Sequence, residues 1–145
     1  MPIRTEQTSY GYRSTIEDPL SLDDMRAWAA DVDRVTRDRQ SFGQLIDVRR
    51  GSRLSGDLEQ QKIIQDQMKL VKERGLLRSC VVVTNRQIAL KVKQLAFATP
   101  VYEWERYLDG CDPDWEQLAL DWIVRGIDPE NRVRQAADDR EARPA

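Results

Sequence analysis

The sequence contains no histidine. That absence excludes imidazole general bases, Ser-His-Asp and Cys-His nucleophile pairs, and histidine metal sites. Proton chemistry is left to carboxylates, lysines, tyrosines and thiols. Thiols are scarce too. Cys80 and Cys111 are the only cysteines, they lie far apart, and Cys80 sits in an apolar run. Two such thiols do not build a disulfide framework, so a reducing compartment is expected. There is no run of about 18 apolar residues, so no membrane-spanning helix is expected. The opening Met1-Pro2-Ile3-Arg4-Thr5-Glu6 has no apolar core of the kind a secretion signal needs. An excess of one charge is also missing. The 23 lysines and arginines face 25 acids, a net charge of -2. Bulk electrostatics therefore favour neither nucleic acid nor an anionic membrane. Together these absences lead us to expect a cytoplasmic protein.

What is present suits one folded domain. The chain has 145 residues, 40% of them hydrophobic and 33% charged, enough apolar material for a core and too much for a disordered chain. In residues 8–16, Tyr10, Tyr12, Ser14 and Ile16 share a period-2 face, which predicts a half-buried strand. Asp18-Pro19 ends it. Ser21 and Asp24 have the spacing of a capping box, with Leu20 and Met25 placed as a hydrophobic staple. Met25, Trp28, Ala29, Val32 and Val35 then follow at helical spacing. Gln44-Leu45-Ile46-Asp47-Val48 reads as a short buried strand. A polar loop from Arg49 to Gly56 leads to a helix begun by Asp57, with Leu58, Ile63, Ile64, Met68 and Val71 as its stripe. Gly75 stands where a left-handed C-terminal cap is needed.

Leu76 to Val83 is the clearest strand. Its three consecutive valines favour an interior position covered on both faces. Thr84 and Gln87 have capping-box spacing ahead of a helix stripe of Ile88, Ala89, Val92, Leu95 and Ala96. Thr99-Pro100 breaks that helix, and Trp104 to Leu108 reads as a last strand. Asp112-Pro113 predicts a capped helix start. Trp115, Leu118, Ala119, Trp122 and Ile123 supply its apolar stripe, and Gly126 ends it. The expected pattern is β-α-β-α-β-α-β-α. That implies an α/β fold with an open, mostly parallel sheet of four to five strands. The domain is expected over 1–126, with a polar, flexible tail over 127–145.

The chain resembles the STAS-like superfamily, the fold of anti-sigma-factor antagonists, and within it the SpoIIAA-like branch. The resemblance covers about residues 8–126. It is carried by element order, by Leu45-Ile46-Asp47-Val48, and by Glu105-Arg106-Tyr107-Leu108-Asp109 followed by Ala119-Leu120-Asp121-Trp122-Ile123. It implies a domain that acts by binding. In the antagonists a serine in an Asp-Ser-Ser-Gly-like pattern after the Asp-bearing strand is phosphorylated. The nearest match here is Ser55-Gly56, without the preceding Asp-Ser, which makes Ser55 the candidate phosphoacceptor.

Ligands of open parallel sheets bind beyond the carboxyl ends of the strands. The candidate site is accordingly Arg49, Arg50, Ser52, Arg53, Ser55 and Gly56, with Arg86 after the next strand. Arginine forks and a helix N-terminus favour phosphate or carboxylate. The competing reading is a solvated loop whose arginines pair with acids such as Asp57 and Glu59. The glycines have the wrong spacing for a P-loop. Glu103, Glu105, Asp109, Asp112, Asp114 and Glu116 form an acidic run that suits helix capping better than a metal. Cys111 lies among carboxylates, which oppose a thiolate, although a helix start pulls the other way. Cys80 reads as a core residue. Trp115 and Trp122 read as core, Trp104 and Tyr102 as partly exposed. No catalytic residue, metal or cofactor is assigned.

The expected function is therefore a non-enzymatic interaction or regulatory module binding a protein partner or a second copy. The alternative is a sensor or carrier of a small anion or lipid. An enzyme using carboxylates or Cys111 ranks third.

Overall fold

Alternation along the chain produces strands whose two faces are both needed. In the computed structural model, which describes residues 3–17, 21–50, 58–97 and 99–131, these are β1 (Ile3–Gln7), β2 (Gly11–Glu17), β3 (Phe42–Arg50), β4 (Leu76–Val83) and β5 (Glu105–Asp109). The helices are α1 (Leu22–Thr36), α2 (Leu58–Arg74), α3 (Arg86–Phe97) and α4 (Trp115–Arg125), with a 3-10 turn over Pro100–Glu103. The strands lie in one sheet in the order β1-β2-β3-β4-β5. β1 pairs antiparallel with β2; every other pairing is parallel. The α/β character and mostly parallel sheet follow the sequence pattern.

One strand did not show in that pattern. β1 has a single aliphatic residue, Ile3, and is an edge strand held by its backbone ladder to β2. The predicted strand over 8–16 is displaced as a result. Tyr10 falls in the β1–β2 turn and packs on the side opposite to Tyr12, against the α4 cluster.

Helices cover the sheet unequally. On one face Tyr12, Phe42, Ile46 and Leu76 meet Trp28, Val32 and Val35 of α1 and Val71 of α2. α3 packs on β5 and the 3-10 turn. On the other face Leu45, Cys80, Val82 and Leu108 meet Trp115, Leu118, Ala119, Trp122 and Ile123 of α4. α4 lies over β3, β4 and β5. The tryptophans of α4 are thus core residues, while Trp104 and Tyr102 are half-buried. Leu20, Asp57 and the side chains of Leu58, Ile64 and Leu95 lie outside the described residues.

Caps fix where the helices begin and end. Ser21 Oγ accepts the Asp24 N–H at 3.0 Å, and Asp24 accepts the Ser21 N–H at 2.9 Å. Ser21→Ala should therefore cost about 1 kcal/mol of stability. Urea denaturation would show it as a lower midpoint at unchanged slope; an unchanged midpoint would mean the cap contributes nothing. α3 is capped by Asn85, whose Oδ1 accepts the Ile88 N–H at 3.0 Å. It replaces the Thr84–Gln87 box, because the Thr84 hydroxyl points to the Arg49 carbonyl. α4 begins at Trp115, later than Pro113 suggested. Asp112 accepts the Asp114 N–H at 2.8 Å and closes a turn ahead of the helix, and Asp114 makes no side-chain cap. Gly126 ends α4 at φ 70°, its N–H returning to the Trp122 carbonyl at 3.0 Å. Gly75 takes φ 118°, and a Cβ there would strike the Gln40 carbonyl.

Candidate functional site at the carboxyl edge of the sheet

β3 runs through the middle of the sheet and ends in charge. Leu45 and Ile46 bury opposite faces, and Asp47 follows at only 3% exposure. A carboxylate so placed needs full compensation. Arg49, two residues on and on the same face, donates its Nε to Oδ1 at 2.9 Å and its Nη2 to Oδ2 at 2.8 Å. The Arg49 backbone N–H adds a bond to Oδ1 at 3.1 Å. Arg13 of β2 donates to Oδ2 at 2.9 Å. Burial pushes the Asp47 carboxyl up, but the bonds and charges of Arg49 and Arg13 outweigh it and hold the group below its ordinary value.

The Arg49 guanidinium is also stacked. It lies 4.3 Å from the Trp115 ring centroid, with Arg13 at 5.7 Å from the same ring. Gly110, at the end of β5, gives the Arg49 stem room: a Cβ there would meet its Cγ at 2.6 Å. The Gly110 N–H bonds the Val83 carbonyl at 2.8 Å, and the Cys111 thiol reaches the Thr84 carbonyl at 3.3 Å. The ends of β3, β4 and β5 and the start of α4 therefore converge on Arg49. Beside it, Arg50 pairs with Glu17 of β2 at 3.0 Å, both well exposed. An open polar hollow of about 640 Å³ borders this edge, lined among others by Arg4, Arg13, Thr15, Glu17, Arg49 and Arg50.

Comparison with family models, curated proteins and solved structures returned no match to this chain.

Of the residues singled out in sequence, Arg49 and Arg50 close β3, and Arg86 opens α3 in an exposed position. The Thr84–Arg49 hydrogen bond brings the two strand ends together. Ser52, Arg53, Ser55 and Gly56 lie outside the described residues, so the candidate phosphoacceptor is among them. Arg49 and Arg50 pair with Asp47 and Glu17; Asp57 and the side chain of Glu59 lie outside the described residues. Arg13, Asp47 and Trp115 complete the site, and sequence spacing gave no sign of their joint role. Arg13 and Asp47 are 34 residues apart.

The acidic run does not gather into one cluster. Glu105 is buried under the opposite face, Asp109 accepts the Cys111 N–H at 2.8 Å, and Asp112 shapes the α4 turn. Among the described residues no group of three acids or thiols is placed to hold a metal. Cys80 is fully buried, and desolvation pushes its thiol far up. Among the described residues no helix is long and apolar enough to cross a membrane.

Proposed function

We propose that this chain is a non-enzymatic interaction module of the STAS-like type, binding a protein partner through the carboxyl edge of its sheet. The observation that carries this reading is that Arg13, Arg49 and Arg50 are already held by carboxylates of the chain itself. Arg49 and Arg13 are committed to Asp47, and Arg50 to Glu17. A free anion would have to compete with Asp47 and Glu17 for donors they already hold. A protein surface bearing both signs of charge can dock beside them and gains from their fixed geometry. Stacking on Trp115 further reduces the freedom Arg49 has to lose on binding.

The test compares the wild type with an Arg50→Glu/Arg86→Glu chain, both immobilised and offered the same native lysate. A protein captured by the wild type should fall at least tenfold on the double variant. Capture of an identical set at equal yield by both would remove the edge from the proposal.

The hollow of about 640 Å³ favours a second reading, a small anion as ligand. Inorganic phosphate or nucleotide should then raise the melting temperature, following RT ln(1 + [L]/Kd). Arg13→Ala should abolish that shift. No shift at millimolar ligand would eliminate this reading and leave the first.

A further inference from the structure

A second charged site lies on a different part of the molecule, independent of the carboxyl edge. Its centre is Arg106 of β5. The Arg106 side chain is 11% exposed and sits between two aromatic rings. Its guanidinium carbon is 4.0 Å from the Tyr102 ring centroid and 4.3 Å from that of Trp122. One amino group, Nη1, is used up by backbone, donating to the carbonyls of Tyr102 and of Glu105. These contacts come from the 3-10 turn, β5 and α4. They orient the guanidinium so that its remaining edge, Nε and Nη2, faces outward as a fork. Such a fork matches the two oxygens of one carboxylate.

The fork is filled by the chain itself. Past Gly126 the backbone doubles back, and Asp128 takes both donors, Oδ1 from Nε and Oδ2 from Nη2, each at 3.2 Å. Pro129 is buried. Two residues beyond Asp128, Glu130 accepts the Tyr102 hydroxyl at 2.6 Å and pairs with Lys93 of α3. Three donors from three elements thus receive two carboxylates separated by one proline. The segment supplying them is five residues, 127–131, at the end of the described chain. Its Lys93–Glu130 pair is partly exposed, at 28% and 23%, and a pair of that kind holds weakly; the bidentate Arg106–Asp128 pair is the stronger hold.

We infer that Arg106, Tyr102 and Lys93 form a socket for an acidic peptide of the Asp-Pro-Glu kind, occupied in cis by residues 128–130 and able to exchange them for the acidic segment of a partner protein. Charge complementarity selects the partner: two carboxylates at that spacing, with an apolar or proline residue between. The fork is built by contacts that do not involve the strap, so the socket persists when the strap leaves. The strap competes at high effective concentration, which keeps the socket closed to weak ligands.

The test uses the full chain and a labelled peptide of its own residues 126–133, followed by fluorescence anisotropy. An Asp128→Ala/Glu130→Ala chain should bind this peptide at least tenfold more tightly than the wild type, because the cis competitor is disabled. The same peptide with asparagine and glutamine in place of its acids should not bind. Glu130→Gln alone, which keeps the Asp128 pair and so protects the fold, should give a smaller gain of about threefold, the loss of one part-exposed ion pair. No gain in either folded variant would reduce the strap to a structural brace and overturn the inference. A wild type that sediments as a dimer while Glu130→Gln is monomeric would make the occupant the strap of a second copy, and would overturn the assignment to a partner.

Discussion

Asp47→Ala should lower the unfolding free energy by about 3 kcal/mol at neutral pH, the lower end of the loss seen when one partner of a buried ion pair is removed. The lower end applies because the two arginines left behind are not sealed in. Arg13 and Arg49 are 27% and 38% exposed and can turn toward water, whereas Asp47 itself is 4% exposed in its side chain. The effect should depend on pH, with a definite sign. The folded protein holds the Asp47 carboxyl below its ordinary value of 3.8. A depressed carboxyl contributes stability that is fully present above the ordinary value and is lost as pH falls through the folded value. The gap between wild type and variant should therefore be wide at pH 7 and narrow below about pH 4. Urea titrations at pH 7 and pH 3 measure both ends. A gap of the same size at both would mean that packing, not the ionised carboxylate, is what Asp47 contributes. The variant also releases Arg49 from the geometry that holds it over Trp115. If the carboxyl edge is the docking surface, capture of its partner should fall together with stability.

Much of the fold was legible because it rests on short-range periodicity. The α4 stripe from Trp115 to Ile123 and the valine run of β4 each announce their element within one segment. The β1 strand could not be read this way. Ile3 alone marks its buried face, and its stability comes from pairing with β2, a property of the partner strand. The α3 cap was misread for a related reason. Thr84 and Asn85 are both competent caps, and the choice between them is made by the Arg49 carbonyl across the sheet. The site was half legible. Arg49 and Arg50 stood out as a charged strand end. Asp47 read only as a strand residue, since its partner Arg13 is brought in by the β2–β3 register. The Arg106 socket was hidden in the same way, because its carboxylates come from a segment whose composition suggests only a polar tail.

Register also creates a buried polar row, and it carries the second large effect. Tyr12, Gln44, Ser79 and Glu105 are successive Cα partners across four strands. The Tyr12 hydroxyl donates to Gln44 Oε1, and Gln44 Nε2 donates to Ser79 Oγ at 2.7 Å. Glu105 ends the row at 6% exposure. The Tyr107 hydroxyl donates to its Oε1 at 2.7 Å, while its Oε2 is buried with no partner among the described residues. Burial raises the Glu105 carboxyl above its ordinary 4.5, and hydrogen bonding from Tyr107 and Ser79 only partly opposes this. The sign is the reverse of that for Asp47. The folded state binds this proton more tightly than the unfolded state, so stability is greatest below pH 4.5 and declines as pH rises toward the folded value. One proton limits the slope to about 1.4 kcal/mol per pH unit. Glu105→Gln keeps an acceptor for Tyr107 and removes the charge. It should abolish that slope and leave the variant more stable than the wild type by at least about 2 kcal/mol at pH 8, the scale of a buried charged group with one oxygen left unsatisfied. Parallel stability curves for the two proteins between pH 5 and pH 8 would show that the folded protein carries this carboxyl with its ordinary affinity. If the slopes differ as expected, the two carboxylates act in adjacent windows. Asp47 destabilises the fold in acid and Glu105 does so as the pH climbs, so stability should peak between them.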